Sequence, residues 1–265
     1  MTLTVPRESI PPLQEGLFAP IWSIFIKDDD IQVERPYTPL EGIDAHGRMK
    51  FWIKRYPKGE VGRWLHSKCE GDRIEVRGPL KSWPWQGHKW DEIVMISGGT
   101  GITPFYQLIY ATLLSATEIP TNIRFTLLHS SRNPGELPPP EILQPLLSYA
   151  AANPGQLRVK LFIDETDGSV SKLLPSHELQ VGRIGQTAVE DILASRVPTS
   201  WWQSLLRLGP SKSIRVEDKN ILFLVCGPEP MINAIAGPYG RNYSQGPIGG
   251  VLGTLGCRQD QVWKL

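Results

Sequence analysis

The sequence predicts two folded units in series: an N-terminal antiparallel β-barrel, then an α/β unit built on a parallel sheet. Short strand-like runs separated by turn residues fill residues 21–79, the texture of a small antiparallel barrel or sandwich. From Glu92 onward, strand-length apolar runs alternate with helical patterns, the signature of βαβ units on a parallel sheet. The texture changes in the connection over residues 81–89, so the expected division is 1–88 and 89–265.

The elements follow in order. Ile21-Trp22-Ser23-Ile24-Phe25-Ile26 reads as a strand ending in the acidic turn Asp28-Asp29-Asp30. A second strand approaches Arg35, and residues 48–56 alternate well enough for a third. Trp64-Leu65-His66 begins a short helix that stops before Gly71-Asp72. Ile74-Glu75-Val76-Arg77 then alternates into a turn at Gly78-Pro79. In the second unit, Glu92-Ile93-Val94-Met95-Ile96-Ser97 is a buried-strand run entering a glycine loop. Residues 105–114 read as a helix with apolar positions at Phe105, Leu108, Ile109 and Leu113. The next strand is Ile123-Arg124-Phe125-Thr126-Leu127-Leu128, the next helix covers 141–151, and 158–163 and 221–225 supply further strands. Residues 164–220 hold a helical pattern near 189–194, the pair Trp201-Trp202 and several Pro/Ser turns, and read as a long excursion from the sheet.

The bulk numbers narrow the function classes. The 265-residue chain is 40% hydrophobic and 21% charged with a net charge of +1, an ordinary soluble composition without a basic nucleic-acid surface or a polybasic membrane patch. Three cysteines, Cys69, Cys226 and Cys257, are too few and scattered for a disulfide framework or a four-thiolate metal site, and a reducing compartment is the default. His66, His88 and His129 stand alone without metal-ligand spacing. No apolar run approaches the ~20 residues of a membrane span. Residues 1–12 lack the pattern of a secretory signal or transit peptide. The 24 prolines punctuate connections such as Leu137-Pro138-Pro139-Pro140, and the nine tryptophans are expected in packing.

Three strings carry the chemistry. In Gly98-Gly99-Thr100-Gly101-Ile102-Thr103-Pro104, glycines follow a strand and open a helix. Glycines let a ligand approach the backbone, and a helix start presents N–H groups to an anion. The string is neither a G-x-G-x-x-G fingerprint nor a P-loop, and a merely tight βα turn stays open. Arg35-Pro36-Tyr37-Thr38-Pro39 places a fork-shaped cation, a ring and a hydroxyl at a strand end; a proline-driven turn is the plain alternative. Cys226-Gly227-Pro228-Glu229-Pro230-Met231 follows the last apolar strand, where Cys226 can also be a small buried residue.

In this order the strings resemble the ferredoxin-reductase superfamily, and especially its NADH–cytochrome b5 reductase branch. The likeness runs from Trp22 to Leu265. It implies a barrel that binds FAD and an α/β unit that binds NADH, with NADPH as the alternative, and hydride transfer from nicotinamide to flavin. Arg35 would then pair with the FAD pyrophosphate. Tyr37, beside Pro36, would lie against the isoalloxazine or ribityl chain, and Thr38 would hydrogen-bond flavin N5. Ile53-Lys54-Arg55-Tyr56 is similar to the family's next flavin strand. Gly59-Glu60-Val61-Gly62 occupies its phosphate loop, with Glu60 where lysine is usual and Gly62 where serine is usual. Gly98, Gly99, Thr100, Gly101, Thr103 and Pro104 would meet the nicotinamide and pyrophosphate, with Thr100 near the ribose. Cys226, with Gly227, Pro228 and Met231, would sit where nicotinamide meets flavin. By this resemblance Thr38 and Cys226 are the catalytic candidates.

Cofactor choice is expected to lie in His129-Ser130-Ser131-Arg132, where Ser131 and Arg132 can meet a 2′-phosphate or simply be solvated. No metal is expected, so electrons leave to a separate acceptor: a haem protein such as cytochrome b5 or c, or a small molecule. Trp22, Gly59 to His66 and the final Val262-Trp263-Lys264-Leu265 are similar to a fungal mitochondrial subgroup. That likeness implies a mitochondrial location, with the cytoplasm as the alternative, and admits a haem-maturation accessory role. A tailoring reductase acting on a metabolite and a flavin-free interaction module keeping the fold are the remaining readings.

Overall fold

The computed structural model describes residues 1–6, 19–30, 32–85, 89–115, 122–169, 179–194 and 220–265. The expected Trp201-Trp202 pair, His88 and most of the 164–220 excursion lie outside them.

The N-terminal part is antiparallel throughout. β1 (Thr2–Thr4) pairs with β4 (Arg48–Lys50), and β2 (Trp22–Lys27) lies between β3 (Glu34–Tyr37) and β5 (Glu75–Lys81). Its core gathers Ile24, Ile26, Met49 and Phe51 against Val61, Trp64 and Leu65 of α1 (Glu60–Leu65).

Three elements here differ from the sequence expectation. The third strand ends at Lys50, because residues 52–56 leave the sheet to line a cleft. α1 begins at Glu60, four residues before the Trp64 expected from the sequence, and its buried positions 61, 64 and 65 share one face at i, i+3, i+4 spacing. β5 runs through Gly78-Pro79 rather than turning there. Gly78 has φ +153°, and a Cβ on it would lie 3.1 Å from Ile24 Cγ2. The register of β5 on β2 shifts between Ser23 and Phe25, so a proline without an N–H falls where the ladder is already interrupted.

The C-terminal part is a six-stranded parallel sheet in the order β11-β10-β6-β7-β8-β9. Its strands are β6 (Glu92–Gly98), β7 (Arg124–Ser131), β8 (Leu157–Ile163), β9 (Gln180–Val181), β10 (Ile221–Cys226) and β11 (Val262–Lys264). Every residue of β6 is buried, as a central parallel strand covered on both faces requires. Ile93 and Met95 face one way, into a core with Phe105, Leu108 and Ile109 of α2 (Thr103–Ile109) and Leu143 and Leu146 of α3 (Pro140–Ala152). Val94 and Ile96 face the other, against α4 (Gln186–Ala194), α5 (Glu229–Ala236) and α6 (Gly250–Thr254). Burying each such side chain contributes about 1.5–3 kcal/mol.

The helix expected over 105–114 divides. A 3₁₀ turn (Gly99–Ile102) precedes α2, and a π turn (Tyr110–Leu114) follows it. The Thr112 hydroxyl donates to the Leu108 carbonyl at 2.7 Å, a back-bond that perturbs helices.

The first core continues into the N-terminal part through Ile21 and Trp83, which join Trp90 at the seam, with Trp52, Trp85 and Trp263 packed against it. The Trp22 N–H donates to Gln107 Oε1 at 2.8 Å, tying β2 to α2 across the seam.

Candidate functional site between the two sheets

Strand order fixes where the site lies. From β6 the chain winds outward through β7, β8 and β9 on one side, then returns to place β10 on the other. The switch point is between β6 and β10, and a crevice opens beyond the carboxyl ends of strands at such a point. Both ends are glycine turns: Gly98-Gly99-Thr100-Gly101 after β6, and Gly227 after Cys226 of β10.

The two turns pack too closely for side chains. A Cβ on Gly101 would fall on the Cys226 carbonyl oxygen and 2.8 Å from the Gly227 nitrogen, and one on Gly98 would lie 2.6 Å from Met231 Sδ. Gly99 has φ +54°, a left-handed value that favours glycine.

The N-terminal part supplies the facing wall of a cleft of about 590 Å³, within the usual size of a cofactor pocket. The end of β3 brings Arg35, Pro36, Tyr37 and Thr38; the segment that left the sheet brings Ile53, Lys54 and Tyr56; and the start of α1 brings Gly59, Glu60, Val61 and Gly62. Opposite stand Gly98, Thr100, Gly101, Thr103, Pro104, Cys226, Gly227 and Pro228. All these sequence-predicted positions therefore meet in one place.

Four do not line it. Gly99 is half-buried, with Tyr56 Oη 3.7 Å from where its Cβ would be, and Met231 packs beneath Gly98. Ser131 is buried: its hydroxyl donates to the Glu136 carbonyl at 3.3 Å and lies 3.1 Å from His129 Nε2. Arg132 is exposed, 3.6 Å from the Glu136 carboxylate.

Sequence reasoning did not single out Ile21, Ser23, Trp52, Ser82 and Leu265 as lining residues. No local pattern marks them. Leu265 reaches the cleft because its N–H bonds the Val225 carbonyl at 2.9 Å and its carbonyl accepts from Tyr239 Oη at 2.8 Å. Lys264, beside it, is buried and donates to the carbonyls of Gly237 and Pro238 at 3.3 and 2.6 Å.

Electrostatics grade along the cleft. Arg35 donates to the Glu34 carbonyl at 2.9 Å and stands 4.0 Å from Glu60 Oε2. Burial raises the Tyr37 phenol, opposed by Arg35. Burial pushes the Cys226 thiol up to about 12, so it stays protonated. The side-chain hydroxyls of Thr38 and Thr100 make no hydrogen bond among the described residues, which leaves both for a ligand.

The Oxidoreductase FAD-binding domain family matches residues 21–85 and the Oxidoreductase NAD-binding domain family matches residues 95–237. NADH-cytochrome b5 reductase 2-A of Vanderwaltozyma polyspora is 31% identical over 240 residues, covering 91% of this chain and 70% of that protein. The chain belongs to the NADH–cytochrome b5 reductase family of FAD- and NAD-binding oxidoreductases. NADH-cytochrome b5 reductase 2 of Mycosarcoma maydis is 29% identical over 240 residues, 90% of this chain but only 59% of that protein. This reductase-family chain therefore spans about three fifths to seven tenths of these relatives' length. The cytochrome b5 reductase domain of Ulva prolifera nitrate reductase shares the reductase fold, with a TM-score of 0.63 and 21% identity over 94% of this chain and 86% of that one.

The residues present fit a flavin beside a nicotinamide. The cleft combines a cation, a half-buried phenol and a free hydroxyl on one wall with a glycine-rich backbone cradle, flanked by Thr100 and Cys226, on the other.

Proposed function

We propose that this chain is an FAD-dependent NADH reductase that hands electrons to cytochrome b5, with an FAD unit over residues 1–88 and a nicotinamide unit over 89–265. The observation that carries this reading is the single cleft in which Arg35, Tyr37 and Thr38 face Gly98 to Pro104 and Cys226 to Pro228. Bound together, the two cofactors supply a hydride donor and a hydride acceptor, and the protein supplies orientation and electrostatics.

Arg35 opposes the negative charge of a diphosphate. Tyr37 offers a ring face, and Thr38 a hydroxyl to a ring nitrogen. The glycine turns admit the nicotinamide against the backbone. The protonated Cys226 thiol forms a small, neutral, weakly donating wall.

NADH is favoured over NADPH because Ser131 spends its hydroxyl inside the fold and Arg132 is held beside Glu136. A 2′-phosphate would meet the Glu136 carboxylate there. The deciding experiment is the visible spectrum of the purified protein before and after anaerobic NADH, then NADPH, then oxidised cytochrome b5. A flavin spectrum bleached by NADH and restored by cytochrome b5, with the haem reduced, is expected. A protein that stays colourless after FAD is supplied would overturn the assignment, and a bleached flavin that cytochrome b5 does not reoxidise would remove that acceptor.

A further inference from the structure

Resting on the flavin reading above, we propose that Glu60 is an internal counter-anion that competes with the flavin diphosphate for Arg35, making the flavin an exchangeable ligand. Glu60 and Arg35 both line the cleft, with Glu60 Oε2 4.0 Å from Arg35 Nη2 and each side chain 58% exposed. The guanidinium also donates to the Glu34 carbonyl, so part of its donor fork is already used. Lys54, the other cation lining the cleft, is committed to the Glu136 carbonyl and carboxylate at 2.9 and 3.4 Å. A diphosphate entering beside Arg35 therefore meets a carboxylate at the same guanidinium and finds no second free cation among the described lining residues.

Neither consequence needs a change of fold. The incoming phosphates share Arg35 with Glu60 and repel it, which weakens binding and speeds release. Because both side chains are largely solvated, screening keeps the effect modest.

One adjacent backbone donor is already used. The Gly59 N–H is bonded to the Tyr56 carbonyl at 3.1 Å. A Cβ at Gly62 would lie 3.2 Å from the Lys54 carbonyl oxygen, so a hydroxyl-bearing residue there needs the neighbouring 52–56 segment to give way.

The test is fluorescence titration of flavin-stripped protein with FAD and with riboflavin, for the wild type, Glu60→Gln and Glu60→Lys, at low and high salt. The proposal expects FAD to bind roughly threefold tighter in Glu60→Gln and roughly tenfold tighter in Glu60→Lys at low salt. It expects slower FAD release in both, and a steeper loss of affinity with salt in Glu60→Lys. Riboflavin, which carries no phosphate, should bind all three alike.

Equal FAD affinity in the three proteins would overturn the role of Glu60 while leaving the flavin site standing. Equal tightening of FAD and riboflavin would also overturn it, because the effect would then not act through the phosphates. Failure of all three to bind any FAD would overturn the flavin reading and this proposal with it.

Discussion

The Lys54 ammonium spans the seam between the two halves: its Nζ lies 2.9 Å from the Glu136 carbonyl oxygen and 3.4 Å from Glu136 Oε2. Lys54 belongs to the segment that leaves the antiparallel sheet, and Glu136 to the turn after β7. The same carbonyl accepts the Ser131 hydroxyl. The lysine side chain is only 18% exposed, so the bond to the carbonyl matters more than the looser ion pair.

Lys54→Met should keep the stem packed and delete the bond. A charge-assisted bond of this kind contributes about 1.5–3 kcal/mol, and urea unfolding should show a loss within that range. An unchanged midpoint would mean that the apolar seam of Ile21, Trp83 and Trp90 and the Trp22–Gln107 bond hold the halves together without it.

Arg35→Ala removes the cation at the end of β3. Because Arg35 is exposed and shared with Glu60, its loss should leave the fold intact and lower the FAD content of the purified protein severalfold. Absorbance of bound flavin per chain and a thermal melt measure the two effects separately. Full FAD occupancy would move the diphosphate elsewhere in the cleft.

Gly101→Ala places a methyl group on the Cys226 carbonyl. Backbone cannot swing aside as a side chain does, so the two turns must separate. Overpacking of this kind costs about 1–3 kcal/mol. Reduction of bound flavin by NADH should slow more than tenfold, while flavin content stays near normal. Stopped-flow bleaching of the flavin, beside a melt, checks both; normal bleaching would show that the nicotinamide does not depend on this contact.

Cys226→Ser exchanges a thiol held protonated by burial for a hydroxyl. It should slow single-turnover flavin reduction without releasing flavin, and the wild-type rate should show no cysteine titration below about pH 10. An unchanged rate would reduce Cys226 to a packing residue ending β10.

Much of this arrangement was legible in the sequence because its signals are local. The apolar run Ile93 to Ile96, the glycines after Ser97 and the Cys-Gly-Pro turn each announce themselves within a few residues. The unread features are those that only three-dimensional neighbours decide. Gly78-Pro79 reads as a turn, yet β5 continues through it where its register on β2 shifts between Ser23 and Phe25. Ser131 reads as a ligand residue, yet it faces His129 inside the fold. Leu265 carries no sequence signal of a lining residue, and enters the cleft through bonds to Val225 and Tyr239, 40 and 26 residues earlier in the chain.

His129 supplies a pH prediction independent of any cofactor. It is fully buried on β7, 2.9 Å from the Ser97 hydroxyl through Nδ1 and 3.1 Å from the Ser131 hydroxyl through Nε2. Burial, assisted by the nearby Lys54 charge, lowers its pKa from 6.5 to about 3. Between those values the unfolded chain binds a proton that the folded chain refuses, so stability falls as pH falls. The contribution is fully present above pH 6.5 and declines by about 1.4 kcal/mol per pH unit below it. His129→Gln keeps hydrogen-bonding capacity without a titrating group. Urea unfolding at pH 7 and pH 5 should show the wild type losing about 2 kcal/mol more than the variant across that interval. Parallel pH dependence in the two proteins would mean that His129 is protonated in the folded state, and that its pairing with Ser97 and Ser131 opens as the pH falls.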